Sequence, residues 1–129
     1  MFGAKAFSGD DIPGQTSKVF LVTGGTSGLG LETSRQLLNH IATVYFTARN
    51  LGKAEATRKD IFGNRHRSEN NANLHVVSMY LSDLESIKKG TDSFKAGLNR
   101  LDVLINNGIS FPVLPNVKWE GENSLDILV

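Results

Sequence analysis

A chain of 129 residues is long enough for one α/β domain around a single hydrophobic core. Its 14 basic and 13 acidic residues nearly cancel, to a formal charge of +1, so no bulk charge draws the chain to nucleic acid or to an anionic membrane surface. Cysteine is absent, which rules out disulfides and thiolate metal sites, and His40, His66 and His75 share no metal-ligand spacing.

Residues 1–17 are polar, carry Pro13 and three glycines and show no hydrophobic period, so they read as an arm leading into a domain over 18–129. The opening MFGAKAFSGDDIPGQ lacks the apolar run of a signal peptide, and no stretch is long enough to span a bilayer, so the expected location is cytoplasmic. Val19-Phe20-Leu21-Val22 is a short continuous apolar run that suits a parallel strand buried on both faces. From Ser27 to about Asn39 a helix is expected, with Leu29, Thr33, Leu37 and Leu38 near one face and the pattern ending at His40. Thr43 to Ala48 is β-branched and aromatic, a second strand.

Lys53 to Phe62 reads as an exposed helix, and Arg58, Lys59 and Arg65-His66-Arg67 fit its cationic C-terminus and a solvated loop rather than a nucleic-acid patch. A third strand is expected over Leu74 to Met79, and Asp83 is placed to cap a helix whose apolar positions are Leu84, Ile87, Phe94 and Leu98, weakened by Gly90 and Gly97. Leu101 to Ile105 reads as a fourth strand ending in Asn106-Asn107. Strands alternating with helices imply right-handed crossovers and a parallel sheet. After Gly108 the pattern dissolves, with a helix expected again only at Asn123 or Ser124.

The stretch TGGTSGLG, Thr23 to Gly30, holds four glycines between the first strand and its helix. Each interior glycine costs roughly 0.5–1 kcal/mol relative to alanine, so the run implies a tight turn or a ligand that comes close. A glycine turn opening a helix presents unpaired N–H groups at the positive end of the helix dipole, where phosphate binds. The nucleotide-triphosphate loop fails because Leu31 and Glu32 stand where its lysine belongs, and GxGxxG fails because Thr33 follows Gly28 and Gly30 at the third position. TGxxxGxG fits, through Thr23, Gly24, Gly28 and Gly30.

In this pattern the sequence resembles the short-chain dehydrogenase/reductase family, and three further segments match in order. DIPGQTSKVFLVTGG looks like the start of fungal members similar to retinol dehydrogenases, LSDLESIKK resembles the segment after the third strand, and LDVLINN the approach to NNAG. The resemblance implies a Rossmann-type α/β fold, here about four parallel strands in the order 3-2-1-4 with helices on both faces, and an NADP or NAD cofactor. It implies cofactor-binding roles for Gly24, Thr26, Ser27, Gly28, Leu29, Gly30, Arg49, Asn50, Tyr80, Leu81, Asn106, Asn107 and Gly108. The second strand is followed by Ala48-Arg49-Asn50, with no carboxylate before Glu55, so Arg49 favours the 2′-phosphate of NADP over the ribose hydroxyl of NAD.

Three departures limit what is carried over. Tyr80 stands where the family has an aspartate beside the adenine, and the NNAG alanine is missing at Asn106-Asn107-Gly108-Ile109, which should misplace or strain the following loop. The family's serine and its tyrosine with a lysine four residues later are absent: Tyr45 is followed at that distance by Arg49, roughly 13 Å off along a strand, and Tyr80 by Leu84. The expectation is the cofactor half of an NADP-dependent oxidoreductase that interconverts a carbonyl and an alcohol on a small lipophilic or secondary-metabolite substrate, without turnover of its own. The alternative is a non-catalytic remnant or a dinucleotide-binding or interaction module. Either way a fourth strand at the sheet edge invites self-association.

Overall fold

The computed structural model describes residues 3–63 and 73–108. Three βα units and a final strand follow in chain order: β1 (Val19–Val22), α1 (Gly28–Asn39), β2 (Thr43–Ala48), α2 (Leu51–Phe62), β3 (Leu74–Ser78), α3 (Leu84–Gly97) and β4 (Val103–Ile105). All strand pairs are parallel and the order is β3-β2-β1-β4. The chain is thus a four-stranded Rossmann-type α/β sheet, as its resemblance implies.

The pleat divides the core. Register pairs Phe20 with Val44 and Val22 with Phe46, and Val44 with Leu74, so these side chains share one face of the sheet. There they pack with Leu37 and Leu38 of α1 and Ala54 and Ile61 of α2. Alternate residues point to the other face, where the Tyr45 ring stacks on His75 at 4.5 Å and meets the edge of Phe94 from α3 at 5.0 Å. Helices therefore cover both faces. Burial pushes the Tyr45 hydroxyl pKa up, which suits a packing role.

Two helix faces differ from expectation. On α1 the buried positions are Gly30, Ser34, Leu37 and Leu38, while Leu29 is 80% exposed. The helix approaches the glycine turn so closely that only small residues, Gly30 and Ser34, fit the buried positions of its first turns, which rotates the buried stripe by one position at that end. On α3 Leu84 is 84% exposed and Gly90 is the buried residue. A Cβ at Gly90 would lie 2.9 Å from the Ser78 carbonyl oxygen and 2.8 Å from Met79 Cε, so this glycine seats the helix on β3 instead of merely weakening it.

Boundaries moved for local reasons. Asn50 accepts a bond from the Lys53 N–H, which starts α2 at Leu51 rather than Lys53. Asp83 caps α3 by accepting from the Glu85 N–H, as expected. β3 ends at Ser78, and β4 begins at Val103 rather than Leu101 because Asp102 is taken up at the start of the ladder. Its carboxylate accepts from the Val19 N–H at 2.7 Å and its own N–H donates to the Val19 carbonyl. Arg100 and that Val19 N–H hold the Asp102 carboxyl below its usual range.

Within the arm, Ser8 and Asp11 form a capping box around a single 3-10 turn, Gly9–Asp11. His40 Nε2 lies 2.8 Å from the Gly9 carbonyl oxygen, and the Gln15 N–H donates to the His40 carbonyl, which docks the arm on the end of α1. Arg65-His66-Arg67, the loop from Ile109 and the helix expected at Asn123 or Ser124 lie outside the described residues.

Candidate functional site

Parallel pairing brings the C-terminal ends of all four strands to one edge, where each connection turns into a helix or, after β4, continues as Asn106-Asn107-Gly108. At the centre of this edge the turn after β1 meets the end of β4. The Thr23 hydroxyl oxygen accepts from the Asn107 N–H at 3.0 Å and the Gly108 N–H at 2.7 Å. Asn107 Nδ2 donates to the Thr23 carbonyl at 3.1 Å and the Gly24 carbonyl at 3.2 Å. From β2, Thr47 Oγ1 accepts the Gly24 N–H at 3.2 Å. The turn is therefore clamped from both sides.

Close approach dictates the small residues here. Gly24 has φ +65°, and a Cβ on it would lie 2.9 Å from Gly108 Cα. Gly30 faces the Gly24 carbonyl oxygen, and Ser34 Oγ donates to the Gly30 carbonyl at 2.9 Å one turn on. At Gly108 a Cβ would meet Leu81 Cδ1 at 2.9 Å and Thr23 Oγ1 at 3.1 Å, so Leu81 is placed against the same strand end. Of the two asparagines, Asn107 braces the turn, while Asn106 is exposed and its side chain makes no bond among the described residues.

α1 begins differently from its neighbours. Asn50 and Asp83 cap α2 and α3 with side-chain oxygens, whereas Ser27, the residue before α1, makes no side-chain cap bond. Gly28 follows with φ +55° and open space around its missing Cβ. An uncapped first turn with room above it fits a phosphate: donors are left without a side-chain partner at the positive pole of the helix. Thr26 stands behind the turn, its carbonyl accepting from Thr57 Oγ1 at 3.2 Å, and Leu29 points outward beside it.

The second half of the site lies after β2 and β3. Ala48 pairs with Ser78, and the Met79 N–H donates to the Ala48 carbonyl at 3.0 Å, so the two chains leave the sheet side by side. Arg49 and Tyr80 stand on them, with Arg49 Cζ 5.8 Å from the Tyr80 ring centroid. This contact between two separately expected residues was not read from the sequence; the only signal was that each followed an adjacent strand. Asn50, also expected here, spends its side-chain oxygen on the α2 cap. Among the described residues no cluster of three or more His, Asp or Glu side chains could hold a metal, and no helix is long and apolar enough to cross a membrane.

A family model described as short chain dehydrogenase matches residues 18–120. The short-chain dehydrogenase/reductase pkfC of Emericella nidulans is 40% identical over 124 residues, covering 94% of this chain and 39% of that protein. The short-chain dehydrogenase/reductase drtF of Aspergillus calidoustus is 42% identical over 97 residues, covering 74% and 29%. Among solved structures, the N-domain of a bacterial malonyl-CoA reductase with NADP superposes with a TM-score of 0.67 at 25% identity, over 76% of this chain and 18% of that one. The chain thus spans about two fifths or less of the length of these relatives. With the TGxxxGxG turn, the order of its strands and this match over most of its length, the chain belongs to the short-chain dehydrogenase/reductase family.

Proposed function

We propose that this chain is the dinucleotide-binding part of an NADP-dependent oxidoreductase. The observation that carries the reading is the uncapped N-terminus of α1 above a glycine turn that β2 and β4 clamp in place. In this reading the first-turn N–H groups over Gly28, Leu29 and Gly30 hold the pyrophosphate, with Ser27 and Thr26 shaping the turn. Tyr80 and Leu81 flank the adenine, and Asn107 with Gly108 borders the nicotinamide side; Asn106 and Asn50 stand at the rim. Arg49, which pairs with no carboxylate among the described residues, takes the adenosine 2′-phosphate. Bound there, the nicotinamide would donate a hydride to a carbonyl as NADPH, with a proton from another source, or accept one from an alcohol as NADP+.

Titration of NADPH and NADH into the 129-residue chain tests this. Tighter NADPH binding is expected, and Arg49→Gln should cut that preference about tenfold or more, the worth of a hydrogen bond to a charged group. Binding of neither dinucleotide would overturn the reading.

A second reading, a binding or interaction module without chemistry, is favoured by the tyrosines. Tyr45 is committed to the α3 packing, and neither tyrosine has a lysine four residues on. Both readings expect the purified chain to reduce no carbonyl, and measurable reduction would overturn that expectation; they part on the titration, where NADPH binding supports a retained dinucleotide site and its absence fits a remnant or interaction module.

A further inference from the structure

Arg49 is a long, exposed side chain, and an exposed guanidinium ordinarily samples many rotamers before it meets an anion. Here it has a platform. Its Cζ sits 5.8 Å from the centroid of the Tyr80 ring, within the range at which the negative face of an aromatic ring attracts a cation. Tyr80 itself is pinned by its backbone: its N–H donates to Ser86 Oγ at 2.8 Å and its carbonyl accepts from the Asp83 N–H at 3.0 Å.

The type of contact matters as much as its presence. A carboxylate at position 80 would pair with the guanidinium through its N–H donors and cancel its charge, leaving less for a second anion. A ring face attracts the cation through its quadrupole and leaves the in-plane N–H donors free. Among the described residues Arg49 has no ion pair, so its charge and donors are unspent.

We propose that Tyr80 is a positioning residue for cofactor choice: its ring face holds the Arg49 guanidinium ready for a phosphate monoester on the adenosine ribose. The proposal rests on the dinucleotide-binding reading above and deepens it, assigning part of the discrimination between NADPH and NADH to a residue that need not touch the phosphate.

Calorimetric titration of the full chain with NADPH, NADH, 2′,5′-ADP and 5′-AMP provides the test, with thermal melts to establish that each variant folds. Tyr80→Phe keeps an aromatic face and should retain the wild-type preference for the 2′-phosphorylated ligands. Tyr80→Leu should lower that preference about two- to fivefold, the range for an exposed cation–π contact, and Tyr80→Gln provides a second ringless variant. Tyr80→Asp should lower it further.

An unchanged preference in both ringless variants would overturn the proposal, as would equal losses in Tyr80→Phe and Tyr80→Leu, which would point to the hydroxyl. If Arg49→Gln loses the preference while the ringless variants keep it, the cofactor reading stands and the role of Tyr80 falls. A wild-type chain with no preference for the 2′-phosphate removes both.

Discussion

The four glycines of TGGTSGLG look alike in the sequence, yet each is required for a different reason. A Cβ at Gly25 would lie 2.4 Å from Phe46 Cβ, and one at Gly30 would come 2.3 Å from the Gly24 oxygen and 2.5 Å from Asn107 Nδ2. Gly24 combines a positive φ with the approach of Gly108, and only Gly28 opens onto free space. Three of the four therefore serve the protein's own packing, and the fourth, open to solvent, is the one the proposed phosphate site would use. Gly30→Ala is expected to cost about 1–3 kcal/mol by overpacking, measured by denaturant unfolding. Gly28→Ala should cost about 1 kcal/mol, from its positive φ alone, yet weaken NADPH binding measurably in the same preparation. A Gly28 variant with unimpaired cofactor binding would remove that glycine from the phosphate site.

Elements respond to strain that composition does not display. α1 ends in a Schellman arrangement, the Ala42 N–H donating to the Leu37 carbonyl and the Ile41 N–H to the Leu38 carbonyl. The left-handed position of that motif is usually glycine, but here it is Ile41, at φ 66° and largely exposed. Ile41→Gly should stabilise the chain by about 1 kcal/mol, read from the denaturant midpoint, because it relieves the Cβ clash at little cost in packing. The end of α1 was legible at His40, but its strained closure was not, since nothing in the sequence signals isoleucine in a glycine role. Strands were read more easily. β1 and β2 occupy the expected residues because each is an unbroken apolar or β-branched run between turns. Helix faces were harder: the small residues Gly30, Ser34 and Gly90 take the buried positions, and a search for large apolar side chains passes over them. Of the site, the glycine turn and Arg49 were visible as motifs, while the Thr23–Asn107 clamp and the Arg49–Tyr80 contact depend on strand order and register.

For the molecule as a whole, stability is distributed unevenly across the sheet. The center, β1 and β2, is covered on one face by α1 and α2, and β2 and β3 receive α3 on the other. β4 pairs only with β1, and among the described residues no strand pairs its outer edge. Leu101, Val103 and Leu104 are exposed there, Leu104 at 49%. A strand edge with free backbone groups and apolar side chains is a template for a second copy, because pairing would satisfy the ladder and bury those side chains together. The 129-residue chain is therefore expected to self-associate, with a sedimentation coefficient that rises with concentration. Leu104→Lys, a charge placed on an exposed position of that strand, should shift the equilibrium toward monomer while changing NADPH affinity little, since the glycine turn and Arg49 follow β1 and β2 and the Asn107 clamp on that turn lies beyond the substituted position. A wild-type chain that stays monomeric at every concentration would show that β4 offers no such edge. Association that survives Leu104→Lys would move the interface to another part of the surface.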